Sequence, residues 1–460
     1  MNNRFLSYIE EISNRINKSV ENKQNFLIIS SLNPDGLSSS IFLLKYLYEK
    51  NSEVHLTFLD YISKKEVNNL FLGESGYEYD NIIFLDTGSI FSDDVIKLNK
   101  DLNKKIYIID HHFTTVKDIE LNNVVNLNPN IFNLDGYKEI STSNILYYLY
   151  QSLNPYDKNI LYLSLVGNLY DFDKPNNEIL NELIDREILS KYTGINIPGI
   201  FTKPLYKVLS SPFNFYIPNI SGSDEKALEL VKELNTKDKG IAGIFYKDLS
   251  EEDIKKLVSS IIKLKLKYNL QRTDDLISEI YNINKNEEIG DLLELLYDIE
   301  GLIENNKREG ILYFFKKYNI DILRESENNL RLQFSKLLYD IINNNIQIKD
   351  ENGLKIIKIE KNYGNGYFLS LLLNLLIKEN IINGRVIALL YKVNNFYRGI
   401  IRTNKDENKK LINNILKKMF DNNLIYYSSF DNFGGFLLDI NNYEEFIKNL
   451  KINLRQENII

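Results

Sequence analysis

The stretch NFLIISSLNPDGLSSS, residues 25–40, decides how the rest of the chain is read. NFLIIS is an apolar, partly β-branched run of strand length. Asn33-Pro34-Asp35-Gly36 after it is a strong turn sequence, and a helical pattern follows. Strand, carboxylate-bearing loop and helix in that order open a βαβ unit, whose ligands gather beyond the carboxyl ends of strands. The loop holds a single acid, Asp35, where a metal site ordinarily draws on several.

Outward from this stretch the pattern repeats. EVHLTFLD (53–60), NIIFLD (81–86), KKIYIID (104–110) and VVNLN (124–128) are further strand candidates, with helical patterns between several of them and throughout 141–171. Near-continuous apolar strands alternating with helices predict an α/β fold with a mostly parallel sheet flanked by helices. Residues 201–345 read as a mainly helical connector or inserted subdomain, carried by EKALELVKELN, EEDIKKLVSSIIKLKLKY and DDLISEIYNI. From 346 the pattern is mixed again, with a GNG turn, YFLSLLLNLLIKEN, RVIALLYKV, FYRGIIRT and FDNFGGFLLDI, which predicts a second, smaller α/β domain. The expected division is 1–200, 201–345 and 346–460.

Composition narrows the chemistry. The 460 residues include no cysteine, which excludes disulfides, zinc ribbons and a thiol nucleophile. No apolar stretch approaches the roughly 18 residues of a membrane span. The amphipathic, mixed-charge start MNNRFLSYIEEISNRINKS is unlike a signal peptide, so a cytoplasmic location is expected. The net charge of −7 argues against polyanion binding by the whole surface. The charge is uneven, since residues 346–460 carry 17 basic and 12 acidic side chains. A basic C-terminal module on an acidic body suits a phosphate backbone or an acidic partner.

Acids mark the ends of the predicted elements. Asp35 follows the first strand, Asp86 ends the third, Asp110-His111-His112 ends the fourth, and Asp171 closes the helix LYLSLVGNLYD. Oxygen ligands with one imidazole suit Mn²⁺ or Mg²⁺ better than zinc. Such an ion polarises a phosphoryl oxygen and supplies hydroxide at neutral pH.

NPDG, FLDTG, IIDHH and GNLYD, in this order, resemble the four motifs of the DHH phosphoesterase superfamily, and FGGF near the end resembles the glycine-rich motif of its DHH-associated domain. LNPNIFNLDGYKEIS (127–141), TKPLYKVL (202–209), IPNISGSDEKALELVKEL (217–234) and YKDLSEEDIKKL (246–257) are similar to the archaeal RecJ-like branch. The resemblance implies a DHH domain, a connector and a DHHA1-like nucleic-acid-binding domain. It also implies single-stranded DNA as ligand, and the GINS complex and replicative helicase as partners. That branch holds both two-manganese 5′→3′ exonucleases and replication factors without nuclease function.

Residue by residue, the resemblance splits the site. The first-motif His and Asp fall on Ser31 and Asn33, which strips one metal position of two of its three ligands. The ligands of the other position match Asp35, Asp86, His111 and Asp171. The resemblance gives His112 a contact to phosphate and Asp110 the task of orienting an imidazole. It gives Arg402, Gly434 and Gly435 a role in nucleic-acid binding, with Phe436 where a His is expected. At most one ion is expected to bind well. The leading expectation is a replication or repair factor with nuclease activity reduced or lost. The alternatives are an active Mn²⁺-dependent 5′→3′ single-strand exonuclease and a phosphoesterase for oligonucleotides or cyclic dinucleotides.

Overall fold

A computed structural model describes residues 3–60, 79–114, 116–136, 138–156, 159–234, 240–270, 272–274, 276–284, 288–403, 409–430 and 434–460. The chain forms two compact units, each drawn from three segments. Unit 1 comprises Met1–Glu182, Ile311–Lys317 and Asp406–Glu457; unit 2 comprises Leu183–Gly310, Tyr318–Lys405 and Asn458–Ile460.

Unit 1 opens with α1 (Asn3–Glu21), β1 (Phe26–Ser31), α2 (Pro34–Glu49), β2 (Val54–Leu59), β3 (Asn81–Leu85), α3 (Ser92–Leu102), β4 (Lys105–Ile109), β5 (Glu120–Leu121) and β6 (Val124–Leu127). The helices α4 (Thr142–Ser152) and α5 (Ser164–Phe172) follow, and α6 (Asn177–Asp185) runs across the boundary between the units. The sheet order is β2-β1-β3-β4-β6-β5, parallel except for the short β5–β6 pair. This is the mostly parallel α/β sheet expected from the apolar runs. Alternate residues Leu27, Ile29, Ile82, Phe84, Ile106 and Ile108 pack on one face with Val95 and Ile96 of α3. On the other face α2 packs against α4 and α5 as well as β1. The chain leaves β1 towards β2 on one side and continues through β3 and β4 on the other. The β1–β3 boundary is therefore a topological switch point, where side chains from both strand ends meet.

At its far end α2 grips the segment 311–317. The Lys45 Nζ donates to the Phe314 carbonyl at 2.8 Å, and the Tyr48 and Phe315 rings meet edge to face at 5.8 Å.

Unit 2 contains β7 (Leu189–Ile195), α7 (Leu205–Ser210), α8 (Asp224–Lys232), α9 (Glu251–Lys267), β8 (Ile277–Ile283), α10 (Leu292–Glu304), α11 (Asp321–Ile342), β9 (Ile348–Glu351), β10 (Leu354–Ile359), α12 (Leu369–Lys378), β11 (Val386–Val393) and β12 (Phe396–Thr403). One reading changes here. The stretch DDLISEIYNI, expected to be helical, contains β8, paired antiparallel with β7 along its whole length. Its β-branched and aromatic residues Ile277, Ile280, Tyr281 and Ile283 suit a strand, and a partner distant in sequence decides the outcome. Ile280 reaches a core with Leu205, Phe215, Leu230, Leu257 and Ile261. Further on, β9–β10 and β11–β12 are antiparallel pairs, while β10 and β11, joined through α12, are parallel.

Two details of unit 2 are energetic. Gly301 lets α10 and α11 approach closely, since a Cβ there would stand 2.6 Å from the Glu327 amide nitrogen. Glu304, at the end of α10, caps the loop before α12, accepting from the amides of Asn365, Gly366 (3.0 Å) and Tyr367 (2.7 Å). Burial pushes its carboxyl up to about 7, against the pull of those amides. Between about pH 4.5 and 7 the unfolded chain releases this proton while the folded chain keeps it. The stability contributed is therefore full below 4.5 and lost as pH rises through 7, on the order of 3 kcal/mol. Glu304→Gln is expected to flatten the pH 5–7 dependence of unfolding, measured by urea titration.

The C-terminal segment of unit 1 contains α13 (Lys409–Asp421), β13 (Tyr426–Phe430), β14 (Gly434–Asp439) and α14 (Tyr443–Gln456). β13 and β14 pair antiparallel. Of the stretch FDNFGGFLLDI, residues 431–433 lie outside the described residues.

Candidate metal centre

Four elements of unit 1 converge at the switch point. Asp35 projects from the first turn of α2, Asp86 follows β3, Asp110-His111-His112 follow β4, and Asp171 lies in the last turn of α5. All six side chains are buried. Asp86 takes the left-handed backbone, φ 54°, a conformation uncommon for a residue with a Cβ.

Asp35 is held by the N-terminus of α4. The amides of Thr142 (2.7 Å) and Ser143 (2.8 Å) donate to its two oxygens. Burial first, then the Asp86 carboxylate, push its carboxyl up to about 7, while His111 and Ser143 pull the other way. The sequence STSN builds this end of α4, since the Asn144 Oδ1 accepts from the Ser141 amide at 3.2 Å. Gly167 on α5 makes room for the carboxyl, because a Cβ there would lie 1.8 Å from Asp35 Oδ1. Gly167→Ala is therefore expected to displace Asp35. The Mn²⁺ affinity, read by calorimetry, should fall at least about tenfold, as when a partner that orients a ligand is lost.

His111 has its tautomer fixed. Its Nδ1 is bonded to the Gly136 carbonyl at 2.6 Å, which turns Nε2 towards the carboxylates. Nε2 lies 3.4 Å from Asp86, 3.6 Å from Asp171 and 3.8 Å from Asp35. His112 bonds Asp110 through Nδ1, and Asp110 also accepts from the Ser89 amide at 3.0 Å. Burial works to raise the Asp110 carboxyl, but the His112 imidazole beside it holds it below the usual range. The carbonyls of both histidines are fastened by amides, with Asn130 donating to His111 (3.0 Å) and Asn128 to His112 (2.8 Å).

Two groups have a donor set and spacing that fit a hard divalent ion. They are Asp35, His111 and Asp171, and Asp86, His111 and His112, each with ligand atoms within 4.8 Å of one another. Both need His111, whose Nδ1 is committed, and one imidazole nitrogen serves one ion. The first-motif position, where Ser31 and Asn33 stand, does not fit. Ser31 Oγ donates to Asp86 Oδ2 at 2.5 Å and Asn33 Nδ2 donates to the same oxygen at 2.8 Å. Asn33 Oδ1 meanwhile caps α2 through the Gly36 amide at 2.8 Å. Hydrogen-bond donors thus hold the carboxylate oxygen that a second ion would share.

The remaining expected residues belong to β12 and the β13–β14 pair. Arg402 on β12 donates to Asn374 Oδ1 at 2.6 Å. Gly434 packs against α13, where a Cβ would stand 2.3 Å from Leu416 Cδ1, and Gly435 pairs with Ser429. Phe436 is fully buried, 4.7 Å from the Phe446 ring. Thr142, Ser143, Gly136 and Gly167 shape the site but were not singled out from the sequence. The [ST]-x-x-N start of α4 was the one local signal.

Residues 25–168 match the DHH family, N-terminal domain, and residues 197–277 match the DHH-CID domain. Both matches agree with the DHH resemblance that the four motifs led us to expect. An uncharacterized protein of Methanocaldococcus jannaschii is 30% identical over 264 residues, 56% of this chain and 58% of the relative. The aligned region thus spans little more than half of that protein's length. Among solved structures, CDC45 from Entamoeba histolytica aligns over 98% of this chain and 99% of its own, with TM-score 0.67 and 14% identity. RecJ from Thermus thermophilus in complex with Mn²⁺ aligns over 97% of this chain and 55% of its own, with TM-score 0.53 and 12% identity. At these identities the likeness is one of fold.

Proposed function

We propose that this protein is a DNA replication or repair factor of the DHH type that binds single-stranded DNA and the GINS complex, with nuclease activity reduced or lost. The observation that carries the reading is the pair of hydrogen bonds from Ser31 and Asn33 to Asp86 Oδ2. A two-metal hydrolysis needs ions at both the attacking and the leaving oxygen, and here one of the two positions is filled by donors. The CDC45-like fold supports the partner assignment, and the Mn²⁺-bound RecJ supports DNA as ligand.

Asp35, His111 and Asp171, with Asp86 beside them, would hold a single Mn²⁺ or Mg²⁺. Bound there, the ion supplies Lewis acidity for a phosphoryl oxygen. Asp110 fixes the His112 ring through Nδ1, so that Nε2 would donate to a phosphate oxygen with the ring in its protonated form. Arg402 and the glycines Gly434 and Gly435 belong to the DNA-binding surface in this reading. The intact Asp35–His111–Asp171 group favours a second reading, an Mn²⁺-dependent 5′→3′ exonuclease working with one ion.

Digestion of 5′-labelled single-stranded DNA with Mn²⁺, run beside fluorescence anisotropy of the same oligonucleotide, separates the two. Binding without cleavage is expected. Robust cleavage that disappears in Asp86→Ala overturns the first reading in favour of the second. Co-purification with GINS tests the partner, and no complex at micromolar concentration removes it.

A further inference from the structure

A surface cleft of about 830 Å³ lies within unit 2, walled by the start of α8, the end of α9 and one face of α11. Three of the most exposed large apolar or aromatic side chains line it, Tyr268 (46% exposed), Leu332 (53%) and Tyr339 (64%). Among the described residues its charged groups are Lys226 and Lys336, and no carboxylate lines it. In a chain with 63 acids against 56 bases, an acid-free cleft of this size is a local reversal of sign.

The helix α11 explains the shape. Leu330, Phe334, Leu337, Leu338 and Ile341 form its buried stripe. Leu332, Lys336 and Tyr339, at i, i+4 and i+7, form a second stripe on a face left open. Two apolar anchors one heptad apart with a cation between them match the spacing by which grooves hold amphipathic helices. Isolated exposed apolar residues need no explanation, but three clustered in one cleft do.

We propose that this cleft is a docking groove for an acidic amphipathic segment of a protein partner. The partner's apolar residues at i, i+3 or i+4, and i+7 lie against Leu332, Tyr339 and Tyr268, and its carboxylates pair with Lys226 and Lys336. Nucleic acid fits less well. A phosphate chain needs a cation for each phosphate it passes and feels the field of the whole molecule, which is negative. A short segment with two or three carboxylates feels the nearby lysines, since charges beyond about 10 Å are screened at ordinary salt. The groove shares no residue with the metal centre, and the proposal stands whether or not that centre binds DNA.

The test is selection of a random peptide library displayed on phage against the full chain, with the winners synthesised and measured by fluorescence anisotropy. The expected winners carry two or more Asp or Glu beside apolar residues at helical spacing. Lys226→Glu/Lys336→Glu should weaken them at least about tenfold, and Leu332→Ser/Tyr339→Ser by a similar factor. These side chains are exposed, so circular dichroism should be unchanged, and Lys226→Gln/Lys336→Gln offers a milder pair. Winners that are basic or uncharged, winners that bind the variants equally, or no winner at all would overturn the proposal. An oligothymidylate that competes at the same lysines would overturn it in favour of nucleic acid.

Discussion

Ser31→His combined with Asn33→Asp is expected to raise bound Mn²⁺ from one ion per chain to two, and to raise single-strand cleavage by about 10²–10³-fold. The rate estimate follows from what one preorganised electrostatic group contributes to a charged transition state. In the wild type, Ser31 and Asn33 occupy Asp86 Oδ2 with hydrogen bonds. The double substitution removes both donors and supplies an imidazole and a second carboxylate at the same strand end. Asp86 already has the left-handed backbone that aims it into the pocket. The Gly36 amide can be capped by Asp as well as by Asn. Elemental analysis reads the stoichiometry and gel electrophoresis of 5′-labelled DNA reads the rate. One ion in both proteins would mean that the loop has drifted beyond the loss of two ligands.

The second large effect is on stability. Lys265 of α9 and Glu379 at the end of α12 form a fully buried ion pair at 2.6 Å. Lys265 also lies 4.7 Å from the Phe215 ring, and Arg272 stands 3.9 Å from Glu379. Burial lowers the Lys265 ammonium pKa, while Glu379 works to raise it. Lys265→Met should cost about 3–5 kcal/mol, because it strands a carboxylate out of water with Arg272 and the Tyr216 amide beside it. Lys265→Met with Glu379→Leu should recover most of that loss, since an apolar pair of similar volume pays no desolvation. Denaturant unfolding of the two variants checks this. A double variant as unstable as the single would show that the pair contributes net stability beyond its mutual neutralisation.

Both predictions rest on features with different visibility in the sequence. The sheet of unit 1 was legible because β1, β3, β4 and β6 are short apolar runs buried in the sheet, and Asp or Asn follows β2, β3, β4 and β6. The acids were legible for the same reason, since strand ends in a parallel sheet point one way. The strand β8 was not, because two strands far apart in sequence decide each other's conformation. Nor was the clamp on Asp35, which is made by backbone amides and by the absence of a side chain at Gly167. Lys265 and Glu379 read as surface charges of two helices until the fold buries them together.

The segment order carries a last consequence, for synthesis. The candidate ligands all lie at or before residue 171, so they are synthesised early in translation. Unit 1 as a whole is not complete until Glu457 has been made, and unit 2 is interleaved with it through Gly310 and Lys405. A nascent chain therefore carries all of its candidate ligands long before the unit around them is complete. Neither unit can be obtained intact by cutting the chain once.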